Sequence, residues 1–186
     1  MDITIGIPLE QLRVLFTKMK NVYYIAVPDI PIEDIVSVDI ELPILDKGIH
    51  FDSGAPTVKT ITLTEGRNWI STARSGVPTI TFQVASVADA INSLMLSPSE
   101  DESSVTMTAT VNGVTYSGSG YSLTPRKIRG ALFMTSEDLQ SALYLPSIEG
   151  YAHLVATDGT NPAFYDVKIT PMEDPRGAAI YILNNE

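Results

Sequence analysis

Two acidic residues in one alternating segment are the first candidates for chemistry in this chain. Asp39 and Glu41 lie two positions apart within residues 35–42, where apolar and polar residues alternate. Residues two apart in a β-strand point to the same face, so both carboxylates are expected to face solvent together. Paired carboxylates can serve as the acid and base of a glycoside hydrolase. The sequence shows neither a second carboxylate-bearing strand nor aromatic subsites, which favours a solvated or deliberately anionic surface.

Other groups able to do chemistry are few. The only histidines are His50 and His153, and neither has a partner at a useful spacing. The chain has no cysteine, which excludes disulfides, thiolate metal sites and a cysteine nucleophile. No phosphate-binding loop, nucleophile elbow, metal-binding helix pair or calcium loop is present. The sequence therefore predicts a protein that is not an enzyme and that holds no cofactor and no metal.

One basic cluster stands out in a chain that is otherwise acidic. Arg126, Lys127 and Arg129 lie within four positions, and together they could bind one phosphate. A second interpretation pairs them with an acidic loop on a neighbouring subunit. That loop carries three consecutive acids, Glu100, Asp101 and Glu102. Both groups can also be simply solvated charges at strand ends and loop tips.

Length and charge limit the class of protein. The chain has 186 residues, a net charge of −10 and a hydrophobic fraction of 44%, which suits one domain over residues 1–186 with a real core. An acidic surface disfavours bulk binding to nucleic acid. No apolar run reaches the length of a membrane helix, and Glu10 with Arg13 interrupts the N-terminal apolar stretch. We therefore expect a soluble protein made in the cytoplasm, with no membrane partner.

The clearest local signal is a β-hairpin. Asn112 and Gly113 supply the two positive φ angles of a type I′ turn, and residues alternate on both sides. The predicted register makes one face apolar and the other a ladder of hydroxyl groups, as a half-buried antiparallel sheet requires. The predicted pairs are Val111–Val114, Thr110–Thr115, Ala109–Tyr116, Thr108–Ser117 and Met107–Gly118.

The remaining pattern indicates many strands and few helices. Helices are predicted near residues 9–20, 87–95 and 136–144, and eight or nine strands occupy most of the rest. No alternation of single strands and helices and no internal repeat is present. The predicted fold class is mainly β with α additions (α+β): an antiparallel β-sandwich or barrel-like sheet with two or three short flanking helices.

Two segments are predicted to lie outside the compact domain. Residues 1–7 form an apolar N-terminal arm, and residues 43–56 form a long extended loop that nevertheless carries apolar side chains. Apolar residues on a long loop need a cover, which suggests contact with another subunit. The candidate inter-subunit residues are Ile44, Leu45, Ile49 and Phe51.

Part of this layout resembles the tail-tube proteins of long-tailed bacteriophages. The resemblance rests on the Thr-rich stretch ITLTEG at residues 61–66, the run SGVPTITFQVAS at residues 75–86, and the helix that follows. It covers residues 34–123 in the order of elements. Proteins of that family are β-sandwiches with a flanking helix that form stacked hexameric rings around a channel for DNA. The extra helices predicted near both ends of this chain depart from that pattern.

The resemblance implies a homo-oligomeric structural protein of the virion. Loop 43–56 would reach the next ring, other virion proteins would be partners, and DNA would pass without specific binding. Asp39 and Glu41 are the candidate lumen-facing acids, because an anionic wall repels the phosphate backbone. A tail terminator, connector, baseplate or capsid decoration protein would share most of these features. A different class, a monomeric β-sandwich that binds carbohydrate or peptide, would use Trp69, Tyr116 and Tyr121.

Overall fold

The computed structural model describes residues 19–45, 47–85, 88–98, 107–156 and 163–185. These residues form a mainly β structure with one α-helix. The strands are β1 (Met19–Ile25), β2 (Ile40–Leu42), β3 (His50–Asp52), β4 (Thr57–Thr62), β5 (Asn68–Arg74), β6 (Thr79–Val84), β7 (Leu96–Pro98), β8 (Met107–Val111), β9 (Val114–Gly118), β10 (Tyr121–Pro125), β11 (Ile128–Ser136), β12 (Ser141–Val155), β13 (Phe164–Met172) and β14 (Tyr181–Asn184). The helix is α1 (Asp89–Met95), and a single 3₁₀ turn covers Ile32–Asp34.

Eight strands form the main sheet. Its order is β2-β1-β11-β12-β13-β6-β3, with β14 beside β12, and every pairing is antiparallel. The 15-residue strand β12 changes neighbour near Pro146: its first part lies beside β14, and its second part lies beside β13. The sheet has two distinct ends, β2 and β3, and does not close into a barrel.

The main core lies on one face of this sheet. In β6, Ile80, Phe82 and Val84 are buried and alternate with partly exposed residues, as the period of two in a strand requires. Helix α1 covers the same core with Ile91 and Met95. Each of these five side chains is at most 5% exposed.

Chain segment 43–45 connects distant parts of the sheet. After β2, the backbone N–H of Leu45 donates to the carbonyl of Gln83 at 2.9 Å, and Ala85 donates to Pro43 at 2.9 Å. Strand β3 then pairs with the same β6. The segment predicted as a long free loop is thus interrupted by a strand and held along one edge of β6.

The helix predicted near residues 136–144 is wrong. Strand β11 ends at Ser136, a turn follows, and β12 begins at Ser141. The Asp138 carboxylate accepts hydrogen bonds from the Ser136 hydroxyl at 2.6 Å and from the Gln140 N–H at 3.1 Å. The spacing of Thr135 and Asp138, which suggested a capped helix, therefore joins the end of β11 to a turn between two strands. Most of the helix predicted near residues 9–20 falls outside the described residues. The described residues contain one α-helix in place of the two or three predicted.

Several strand boundaries also differ from the prediction. The strand predicted over residues 35–42 contains only Ile40–Leu42, and Val36 is 96% exposed in the preceding loop. The turn-rich run around Trp69 is instead strand β5, paired with β4. The predicted register of the hairpin at Asn112–Gly113 is confirmed pair by pair. Its predicted half-burial is wrong, because both strands are exposed on both faces.

Candidate functional site

A row of aromatic side chains crosses the face of the main sheet opposite the large core. The register places Glu41, Tyr23, Phe133, Tyr144 and Tyr181 directly opposite one another on β2, β1, β11, β12 and β14. The Phe133 and Tyr144 ring centroids are 6.3 Å apart, and those of Tyr144 and Tyr181 are 6.1 Å apart. Directly opposed residues share a face, so the row is one continuous surface with an acid at its β2 end.

The loop between β1 and β2 lies over part of this row. The buried Tyr144 hydroxyl donates to the carbonyl of Ile30 at 2.7 Å, and the N–H of Asp29 donates to the carbonyl of Pro146 at 2.7 Å. Both bonds join the loop to β12. Two short hydrogen bonds therefore hold the first residues of the loop against the sheet.

Asp39 fastens the other end of the same loop. Its carboxylate accepts a hydrogen bond from the Ala26 N–H at 2.7 Å, and its own N–H donates to the carbonyl of Tyr24 at 3.0 Å. The candidate lumen acid therefore has a local structural contact that the sequence did not reveal. Glu41 is exposed on the edge strand β2, and it is the only one of the two candidate acids within a strand.

Between the loop and the sheet lies a groove of about 410 Å³. We call it the aromatic groove, and its walls are almost entirely apolar. It is lined by Tyr23, Ile32, Ile35, Val38, Phe133 and Leu183. A volume of this size falls within the range of small-ligand and peptide sites in proteins.

The border of the aromatic groove is acidic. Residues 26–41 contain five acidic side chains and no basic one, and all five are exposed. These acids are Asp29, Glu33, Asp34, Asp39 and Glu41. Of these five acids, only Glu33 takes part in an ion pair between described residues, with the Arg176 guanidinium at 3.7 Å. The groove is therefore apolar inside and negative at its edge.

The tyrosines beside the groove are held in their neutral form. Burial, with a smaller contribution from Asp29, raises the pKa of Tyr144 to about 12. A hydrogen bond to the Asp174 carboxylate at 2.7 Å raises the pKa of Tyr181, and the same bond lowers the pKa of Asp174. Neutral phenols act as hydrogen-bond donors, so these residues position the surface and do not serve as bases.

The basic cluster does not form a free cationic patch. Arg126 donates to the carbonyls of Ser93 and Leu96 at the end of α1. The Glu149 carboxylate lies between the other two bases. Its Oε2 is 2.6 Å from Lys127 Nζ, and its Oε1 is 2.8 Å from Arg129 Nη2. Hydrogen bonds from Lys127, and then from Arg129, lower the pKa of Glu149.

These contacts give all three bases partners within the chain. The three acids proposed to meet them, Glu100, Asp101 and Glu102, lie outside the described residues, as does the N-terminal arm 1–7. The proposed pairing between subunits stays a prediction.

The four candidate inter-subunit residues of loop 43–56 do not share one environment. Ile44 forms an isolated bridge with Val84, and both Ile44 and Ile49 pack against the main core. Leu45 is partly exposed, while Phe51 is 38% exposed on the edge strand β3. At least two of the four apolar residues therefore have a cover within their own chain.

The surfaces that most need a cover are two ribbons instead. We define the first ribbon as residues 57–74, which contain β4 and β5, and the second ribbon as residues 107–118, which contain β8 and β9. Each is a separate two-stranded sheet. The first ribbon exposes Val58, Ile61, Leu63 and Ile70, and the second exposes Met107, Val111, Val114 and Tyr116, all between 41% and 70%. Sequence reasoning missed β5, although the β-branched residues Ile70 and Thr72 lie two positions apart, as in a strand.

The two histidines lie apart from each other in the main sheet. His50 and His153 are both exposed, on strands β3 and β12, which are separated by β6 and β13 in the sheet order. No group of three histidine or acidic residues there is arranged to hold a metal ion. Among the described residues, no helix is both long and apolar enough to cross a bilayer.

No known protein family matches this chain by its sequence model, and no curated protein sequence matches it significantly.

Proposed function

We propose that this protein is a structural component of a phage virion, which self-assembles into stacked rings that form a tail tube with an acidic, DNA-conducting lumen. The observation that carries the proposal is the exposure of the two ribbons on both of their faces. An isolated two-stranded ribbon is at best marginally stable in water. Neighbouring copies in an assembly supply the missing cover for its apolar side chains.

The charge of the chain supports a role as a conduit for DNA. The net charge is −10, and Glu41 is exposed on β2, which forms one end of the main sheet. Edge strands can extend a sheet from one subunit to the next. If β2 edges face a common channel, Glu41 and Asp39 contribute to a wall that repels phosphates.

Negative-stain electron microscopy of the full-length protein over a concentration series, with light scattering for mass, tests this function. We expect rings with a central channel, hexameric as the resemblance implies, which stack into tubes as concentration rises. A single non-stacking ring would favour a terminator, connector or baseplate part. A strict monomer at every concentration would contradict the self-assembly proposal.

The aromatic groove supports a second candidate function. Its volume of about 410 Å³ and its two aromatic walls, Tyr23 and Phe133, suit a monomeric module that binds a carbohydrate or an apolar peptide. Such a module would remain monomeric and would expose the groove permanently. Ligand screening by nuclear magnetic resonance, with Val38→Asp as the groove-blocked control, separates this candidate from the first.

A further inference from the structure

The first ribbon is a protruding arm with a fixed base. It leaves the main sheet after β3 and returns at β6, and these two strands are hydrogen-bonded neighbours. At the base of the arm, a Cβ atom on Gly54 would lie 2.7 Å from the backbone of Gly76. The two backbone segments therefore touch, with no room for a side chain between them. The arm is thus held at one end while Ile61, Leu63 and Ile70 remain about half exposed beyond it.

The first ribbon carries a charge opposite to that of the rest of the chain. It contains three basic residues, Lys59, Arg67 and Arg74, and one acid, Glu65, for a net charge of +2. Since the whole chain has a net charge of −10, the other 168 residues carry −12. The ion pairs formed between described residues include none of the three bases. A positive apolar arm therefore projects from a negative body.

The aromatic groove has the complementary properties. It is apolar inside, and residues 26–38 at its border hold three exposed acids, Asp29, Glu33 and Asp34, and no base. An arm with an apolar end and flanking positive charges matches such a groove both in polarity and in charge. None of the residues that line the groove belongs to the ribbon, so the two surfaces are distinct parts of the molecule.

From this complementarity we infer that the first ribbon of one copy docks into the aromatic groove of a second copy. The contact is heterologous, because each copy contributes a different surface, and repeated heterologous contacts generate rings or open filaments. An arm of 18 residues is close to the roughly 20–30 residues per partner of a standard interface. The inference rests on the proposed function in that both require association between copies, and it names the surfaces that associate.

A heterologous contact can be tested by mixing two variants that are each defective in one surface. Ile61→Asp places a charge at the apolar end of the ribbon and leaves the groove intact. Val38→Asp places a charge in the groove and leaves the ribbon intact. Both residues are at least 41% exposed, so both variants should fold. Each change should weaken self-association at least about 30-fold, the factor of an interface hot spot.

The expected result is specific to this geometry. Each variant alone should sediment as a monomer, while an equimolar mixture should form a discrete dimer through the one intact ribbon and the one intact groove. Added salt, from about 50 to 500 mM, should weaken that dimer because the contact pairs opposite charges. Leu123→Asp is the matched control: Leu123 is 86% exposed outside both surfaces, and its change should leave assembly as in the wild type.

The other outcomes separate the inference from the proposed function. Rings that form unchanged in both variants would overturn the inference and leave the proposed function standing. Ribbon-to-ribbon pairing would leave Val38→Asp self-associating on its own while Ile61→Asp stays monomeric, which also overturns the inference. Dimers in the mixture without rings or tubes in the wild type would support the docking and contradict the tail tube. A wild type that is monomeric up to about 100 μM would overturn the docking itself.

Discussion

The hydroxyl group of Tyr144 gives the sharpest test of how the aromatic groove is held in shape. Replacing Tyr144 with Phe removes one hydrogen bond, from this hydroxyl to the carbonyl of Ile30 at 2.7 Å, and keeps the ring between Phe133 and Tyr181. Tyr144 is fully buried, so water does not readily replace the lost donor. The expected cost is about 1–2 kcal/mol of unfolding free energy. For a chain of this length that corresponds to a fall of about 2–8 °C in Tm.

The stability difference between the wild type and the Tyr144→Phe variant depends on pH through the pKa of the Tyr144 hydroxyl. Burial raises the pKa of Tyr144 to about 12, above the value near 10 of an unfolded tyrosine. The stability that depends on the neutral phenol is therefore complete below pH 10 and is lost as pH rises toward and through 12. The wild type should thus exceed the Phe variant by a constant amount from pH 6 to about pH 9. That advantage should shrink between pH 10 and 12.

Urea unfolding followed by circular dichroism measures both effects. Tyr151→Phe is the matched control, since Tyr151 is 51% exposed, and its change should stay within about 0.5 kcal/mol of the wild type. The reasoning would be refuted if Tyr144→Phe were as stable as this control at pH 7. It would also be refuted if the difference between wild type and variant grew above pH 10.

Two further pairs of substitutions test the contacts that support the sheet and the loop. Gly130→Ala should cost about 2–3 kcal/mol in urea unfolding, because Gly130 has φ +153° and a Cβ atom there would lie 2.3 Å from the Ile25 carbonyl oxygen. Gly118→Ala, where a Cβ atom would meet nothing within 4 Å, should be nearly neutral, and equal costs would contradict the argument. Asp39→Ala should lower stability by about 1 kcal/mol through loss of the bond from the Ala26 N–H, whereas Glu41→Ala should change it by less than about 0.5 kcal/mol. The opposite order in thermal unfolding would show that Asp39 does not fasten the loop.

Local signals in the sequence predicted those elements whose conformation depends on near neighbours. The Asn112–Gly113 turn has positive φ angles at both residues, and its strands pair in the predicted register. The alternation around Phe82 likewise marked a strand that buries every second residue. Periodicity and turn chemistry act over a few residues, so one chain segment suffices to reveal them.

Long-range contacts decided the features that near neighbours in the sequence do not fix. Thr135 and Asp138 are compatible with a helix cap, but the pairing of β11 with β12 places Thr135 in a strand and Asp138 in the turn that follows. The apolar residues of loop 43–56 suggested an external partner, yet Ile44 packs on the core of its own chain. The hairpin at Asn112–Gly113 has the pattern of a half-buried sheet, but no described element covers it. A hydrophobic pattern states that a face needs a cover and does not state which part of the chain supplies it.

The candidate site shows the same division. By itself, the sequence determined a mainly β chain of net charge −10, without cysteine and with five acids and no base over residues 26–41. Only the tertiary structure decided that these acids border a groove, since Tyr23, Phe133 and Leu183 come from strands far apart in the chain and meet through sheet register. It also separated the first ribbon, with its net charge of +2, from the acidic body. Composition sums charge over the chain, whereas recognition depends on which charges share a surface, and that is set by the pairing of distant strands.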